Sequence, residues 1–262
     1  MESLGFLLAL CIGVSLGLMG SGGSILTVPV FVYILQVEPS LSTTYSLFAI
    51  GVAAAIGSIR NYRLKLIDYQ KIIDFGIPSI ILVFLTRQFI LPLIPKVFFI
   101  GPWIIHQNTI LMVFFSLVML LSALKMIQPS EKRTAVNDRK PSRYTTILQG
   151  AGVGLITGIV GAGGGFLIIP ALIGFYKMPM HRAVGTSLAI ICINSFFGMA
   201  GDIEKIPLFD WKILAPYTVL LLLGMFLGFY ISRYFNGQQL KRSLGYLILG
   251  IAIFIFLKET LL

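Results

Sequence analysis

Apolar residues run together along this chain, with polar residues confined to short breaks. Apolar stretches fall at about 3–19, 24–36, 42–59, 72–91, 104–127, 145–160, 165–176, 183–200, 213–232 and 243–261. Several approach the ~20 residues that a helix needs to cross a bilayer. The stretches 24–36 and 165–176 are shorter and suit half-helices or re-entrant arms better than full spans. The pattern predicts an all-α polytopic membrane protein. One segment is plainly aqueous: Gln128–Arg143, QPSEKRTAVNDRKPSR, with two prolines and five basic residues. It divides the chain into a first bundle (1–127), a linker (128–143) and a second bundle (144–262). Phe89–Gln107, with Pro92, Pro95, Gly101 and Pro102, predicts an extra loop that the second half lacks.

The two halves share a phrase. Residues 13–29 read GVSLGLMGSGGSILTVP and residues 154–170 read GLITGIVGAGGGFLIIP, an ungapped offset of 141 residues. The match continues through Ser46-Leu47 over Ser187-Leu188 and Gly57 over Gly198. The chain is therefore read as two homologous repeats, each with a glycine-broken re-entrant or discontinuous helix followed by three spans, about eight membrane helices in all. In a very apolar chain, glycine interruptions at corresponding places in two halves point to a transporter's binding site.

Composition narrows the class. The sequence is 57% hydrophobic and 11% charged, with a mean hydropathy of +0.94. Soluble domains carry about 25% charged residues. The net charge of +10 is carried by basic residues assigned to loops, a signal of membrane orientation rather than of nucleic-acid binding. Cys11 and Cys192 lie in apolar stretches without metal-ligand spacing and are expected to be reduced and buried. The N-terminus lacks a basic n-region and a cleavage site, so it is read as the first membrane segment.

Two topologies compete. If each glycine loop breaks a spanning helix, each half has four spans and the repeats are parallel. If each loop is the tip of a re-entrant hairpin, three spans follow it and the second repeat is inverted. The second arrangement collects Arg60, Arg63, Lys65, Lys71, the linker, Lys177, Arg182, Arg233, Lys241 and Arg242 on one side. The positive-inside rule favours this sharper asymmetry, with a cytoplasmic linker, outer termini and a plasma-membrane location.

The glycine loops carry the candidate chemistry. Gly20, Ser21, Gly22, Gly23 and Ser24 in the first half answer to Gly161, Ala162, Gly163, Gly164 and Gly165 in the second. Adjacent glycines free the backbone from helical geometry, and a new apolar helix follows each loop. Helix N-termini offer unpaired N–H groups and a positive dipole end, so two meeting near the midplane make an anion site. Basic side chains are expected to be absent from the apolar helix cores, where they are costly. Ser46, Thr186 and Ser187, with Thr44 and Asn194 as further candidates, lie on the next helix of each half. Their alternative role is bonding to helix carbonyls. The spaced pairs Gly13/Gly17, Gly154/Gly158 and Gly224/Gly228 read as helix-packing positions. Asp68-Tyr69 and Asp210-Trp211 read as helix caps with interface anchors. Asp74 and Asp202 are weaker candidates for ion coupling, and His106 and His181 are placed near loops.

On Gly17-x2-Gly20-x-Gly22-Gly23 with Pro29, Gly158-x2-Gly161-x-Gly163-Gly164-Gly165 with Pro170, and Ala183-Val184-Gly185-Thr186-Ser187, the chain resembles the TauE/SafE family of transporters over nearly its whole length. The first repeat departs from the fuller pattern, with Ser24 opposite Gly165 and Thr44-Tyr45-Ser46 opposite Gly-Thr-Ser. The resemblance implies a plasma-membrane permease of around eight spans for small sulfur-containing anions such as sulfite or sulfonates. The expected function is a secondary transporter moving such an anion by alternating access within the lipid bilayer. The alternative is a passive anion channel, and an enzyme is disfavoured for want of a nucleophile–base pair. No cofactor, metal or nucleic acid is called for. The coupling ion (H+ or Na+) and a homo-oligomeric state stay open.

Overall fold

Long apolar segments in lipid must satisfy their backbone hydrogen bonds internally, which a helix does. In the computed structural model, the described residues are 2–20, 22–100, 103–128, 142–232 and 237–261. They form ten helices and a short 3-10 turn, Ile203–Leu208. The first half holds α1 (Glu2–Met19), α2 (Gly23–Ile34), α3 (Pro39–Arg63), α4 (Tyr69–Leu93) and α5 (Gln107–Ile127). The second holds α6 (Arg143–Val160), α7 (Gly165–Tyr176), α8 (Met180–Gly201), α9 (Trp211–Ile231) and α10 (Gly237–Leu261). Among the described residues, five helices are long and apolar enough to cross a membrane: α3, α4, α5, α8 and α9. That is fewer than the eight or so suggested by the sequence. Most of the linker, 129–141, lies outside the described residues.

The start of α4 and that of α9 are capped as the sequence suggests. Asp68 accepts from the Lys71 N–H at 3.1 Å and Asp210 from the Lys212 N–H at 2.9 Å. The expected loop at Phe89–Gln107 is shorter than it reads. Helix α4 continues to Leu93, and β1 (Val97–Ile100) then pairs antiparallel with β2 (Trp103–His106), the one departure from an all-α fold among the described residues. Both strands consist mainly of β-branched and aromatic residue types, which favour extended pairing.

Glycine decides how the helices meet. A Cβ at Gly13 or Gly17 would collide with the backbone of α9, and one at Gly224 or Gly228 with the backbone of α1. Gly150 and Gly154 bring α6 equally close to the α4 backbone at Phe75 and Ser79, and Gly158 lies against Thr86. Each of the spaced pairs is thus a site of close approach. In both contacts the partners run parallel, since higher numbers meet higher numbers.

Helices α1 and α2 form a hairpin: Gly23 lies against Ile12, and Gly5 against Leu35. Helices α6 and α7 do the same, with Gly164 against Thr157 and the Tyr176 hydroxyl donating to Gln149 at 2.9 Å. Helices α3 and α8 cross the middle of the molecule antiparallel. Thr44 meets Asp202, Leu47 meets Gly198, Gly51 meets Ser195, Gly57 meets Leu188 and Asn61 meets Gly185. Helix α5 packs along α10. Burial of Phe31, Tyr45, Phe209 and Tyr217 ties α2, α3 and α9 together through ring contacts of 4.3–5.4 Å. The cysteines are free, as expected, but Cys11 is exposed and Cys192 half-buried. An apolar flank in this sequence faces outward as readily as inward, because the surroundings of the bundle are themselves apolar.

Candidate functional site

The hairpin tips are built by glycine. Helix α1 ends at Gly20 (φ +78°), whose N–H returns to the Leu16 carbonyl at 2.7 Å. Helix α6 ends at Gly161 (φ +71°), bonded to the Thr157 carbonyl at 2.8 Å, and Gly163 (φ +67°) and Gly164 (φ +72°) complete the turn into α7. Any other residue in these left-handed conformations costs ~1–2 kcal/mol. No side chain caps the α7 N-terminus at Gly164. The first turn of the α2 arm, Gly22–Leu26, packs against α7, so the two hairpins meet. The Gly22–Leu26 turn and the start of α7 are therefore neighbours, and Gly163 faces Ile50 and Ile191 midway along α3 and α8, whereas Gly20 lies against Val184 at the start of α8 and Gly161 against Thr43 at the start of α3, opposite ends of that crossing; Ser24 is buried. Ser21 lies outside the described residues.

The hydroxyls divide into two groups. Thr186 accepts the Asp68 N–H at 3.0 Å, which fastens α8 to the α3–α4 turn. Ser187 donates to the Val184 carbonyl of its own helix at 2.9 Å. Thr44 donates to the Asp202 carboxylate at 2.7 Å, and Asn194 donates its amide N–H to Ser79 at 2.9 Å. These four are tied into structural hydrogen bonds. Ser46, by contrast, is fully buried and its hydroxyl has no partner among the described residues. So is Ser195, a residue that sequence reasoning left out of the site; its hydroxyl sits beside Gly163 and its Cβ beside Gly51. The Asn194 carbonyl oxygen is likewise buried and unpartnered. Buried polar groups without partners are rare in native structures.

A second correction concerns charge. The sequence suggests apolar helix cores free of basic side chains, yet Arg87 lies inside α4 with its side chain fully buried. It sits in a π-helical turn, Thr86–Ile90, of a kind often found at functional sites. Its Nε donates to the Gly158 carbonyl at 2.8 Å and its Nη1 pairs with the Asp202 carboxylate. Its Nη2 has no partner and lies against Gly161 at the second hairpin tip. Lys205 reaches the other Asp202 oxygen at 3.3 Å. Burial alone would raise the Asp202 pKa, but the charges of Arg87 and Lys205 and the hydrogen bonds from Thr44 and Arg87 outweigh it and hold the carboxyl below the usual range. Asp74 pairs with Arg143 at 3.0 Å. The signal for Arg87 was available: it is the lone basic residue in the apolar run 72–91.

A family model described as sulfite exporter TauE/SafE matches residues 5–255. The chain belongs to the TauE/SafE family. Relatives of this TauE/SafE protein carry the name probable membrane transporter protein. One from Xylella fastidiosa (strain 9a5c) is 27% identical over 256 residues, covering 93% of this chain and 90% of the relative. YjnA of Bacillus subtilis (strain 168) is 25% identical over 260 residues, covering 93% and 95%. A third, from Methanocaldococcus jannaschii, is 27% identical over 203 residues, covering 73% and 70%. No solved structure matches. The TauE/SafE chain is thus a multi-pass membrane protein of a transporter family, not an enzyme.

Proposed function

We propose that the chain is a secondary transporter of a small anion, a sulfur-containing oxyanion or organosulfonate, with its site at the meeting point of the two hairpin tips. The observation that carries this is the contact between the two glycine-turned hairpins, with the buried Ser195 hydroxyl beside Gly163 and without a partner among the described residues; Ser46 on α3 is a second buried hydroxyl without one. Backbone N–H groups at a helix start and hydroxyls together suit an anion with several acceptor oxygens. The family's description names sulfite export, which agrees with that chemistry.

The two halves support an inverted repeat. Gly57 on Leu188 and Gly198 on Leu47 are the same contact with the halves exchanged, and α3 and α8 run antiparallel. A broken spanning helix in each half would leave those two helices parallel. The hairpins then enter from opposite sides, the linker lies in the cytoplasm of a plasma-membrane protein, and rocking of one repeat against the other gives alternating access. A ligand that binds the folded state stabilises it, by ~2.7 kcal/mol at a hundred times its Kd. Thermal melts of the purified protein with sulfite, sulfate and methanesulfonate should rise, while tetramethylammonium and glycerol leave the melt unchanged. A shift with the cation or the neutral solute and none with the anions would contradict the assignment.

A further inference from the structure

The second hairpin tip carries polar groups that neither the fold nor the glycine loops account for. Arg87 is 1% exposed, and its Nη2 has no hydrogen-bond partner among the described residues. The hydroxyls of Thr86 and Thr157 are buried and unpartnered as well. Each faces a glycine of the segment 158–164. A Cβ at Gly158 would be 3.2 Å from the Thr86 hydroxyl, Gly161 abuts Arg87 Nη2, and Gly164 abuts the Thr157 hydroxyl. A buried cation with unused donors is among the costliest arrangements a protein can hold, and leaving it unpaired in lipid is costlier still. The Asp202 carboxylate supplies one anionic partner, through Nη1 alone.

We infer that Arg87, with the Thr86 and Thr157 hydroxyls, is a charged anion subsite at the second hairpin tip, and that the Asp202 carboxylate competes with the transported anion for this guanidinium. The inference rests on the anion-transport assignment and gives that site its positive charge. A guanidinium presents its donors as a fork that suits oxyanions of planar or tetrahedral geometry. When the ligand takes the guanidinium, Asp202 loses the partner that keeps it ionised. Its remaining neighbours are the Thr44 hydroxyl from α3 and Lys205 from the turn after α8, with the exposed Glu38 facing Lys205 from beyond. The released carboxylate binds a proton from the adjoining water more readily, so anion binding is accompanied by proton uptake. The corresponding positions in the other half are Phe229 and Asn61, where the guanidinium of Arg60 stacks over the Phe229 ring at 4.2 Å and no carboxylate stands in the place of Asp202, so the two halves differ here.

Isothermal titration of methanesulfonate into the protein in nanodiscs tests this, because the probe keeps its single charge from pH 5 to 8. Asp202→Asn leaves Arg87 in place, removes the competing charge and should tighten binding roughly ten- to a hundredfold, the size of one charge-assisted bond. Glu38→Gln removes a nearby negative charge without touching Arg87 and should leave affinity unchanged. In the unaltered protein, binding should tighten as pH falls from 8 towards 5, because Asp202 takes up a proton once the ligand holds Arg87, and this dependence should vanish in Asp202→Asn. Arg87→Gln should lose binding, and Arg87→Gln/Asp202→Asn should not recover it. If the Arg87 variants fail to fold, Asp202→Asn and the pH profile decide alone. Weaker or unchanged binding in Asp202→Asn, with a pH profile like that of the unaltered protein, would make the pair merely structural and overturn the inference. Binding of methanesulfonate by the unaltered protein in that case would leave the anion-transport assignment standing. Should the unaltered protein bind neither methanesulfonate nor sulfite, that assignment falls and the subsite falls with it.

Discussion

Ser46 and Ser187 occupy corresponding places in the two halves, yet their surroundings predict opposite behaviour. Ser187 already donates to a helix carbonyl, so Ser187→Ala should change anion affinity little. Ser46 keeps a buried hydroxyl without a partner, so Ser46→Ala removes a group that contributes nothing to the unliganded fold. We expect its melting temperature to hold or rise while anion affinity falls roughly five- to tenfold, the size of one neutral hydrogen bond. Parallel thermal melts and titrations separate the two effects, and a lowered melt at unchanged affinity would reassign Ser46 to the core. Thr186→Val should do just that, because it removes the acceptor of the Asp68 N–H at a cost of about 1–2 kcal/mol in stability. From the sequence, these hydroxyls were equivalent candidates. Which of them was already bonded depended on tertiary neighbours such as Asp68 and Ser79, and no local pattern encodes those.

The glycines sort by what their missing Cβ would strike. Gly163 is left-handed, and its neighbours are the movable side chains of Ile50, Ile191 and Ser195 at 3.0–3.3 Å. Gly163→Ala should therefore fold, at a strain cost of ~1–2 kcal/mol, and lose anion binding because the tip can no longer hold its turn. Gly224 is helical, but a Cβ there meets the Leu10 carbonyl in the α1 backbone, which cannot step aside without parting the two helices. Gly224→Ala should thus give the larger loss of melting temperature and of monodisperse protein on size exclusion. The duplicated phrase, the short arms α2 and α7 and both aspartate caps were legible, because each is a local signal. Arg87 escaped because a charge within an apolar run looks like a loop residue until Asp202, 115 positions away, is brought to it.

The antiparallel crossing of α3 and α8 sets the expected orientation of the chain. On the proposed inverted repeat, with three spans after each hairpin, both termini are expected to face outward and the turn Met178–His181 to share the cytoplasmic side with the linker. Single cysteines introduced near each terminus and at Met178, after replacement of Cys11 and Cys192, should label from opposite sides of the membrane. Termini that label from the cytoplasmic side, with Met178 labelling from outside, would restore two broken spanning helices and parallel repeats. On the proposed function the site belongs to a carrier, in which a hairpin from each side parts in turn to release the ligand. Counterflow in proteoliposomes addresses that directly. Labelled sulfite outside should enter saturably and several-fold faster when unlabelled sulfite is trapped inside, with no single-channel currents in bilayers. Uptake that rises linearly with concentration, ignores the trapped anion and is accompanied by unitary currents would show a channel and contradict alternating access at the hairpin tips.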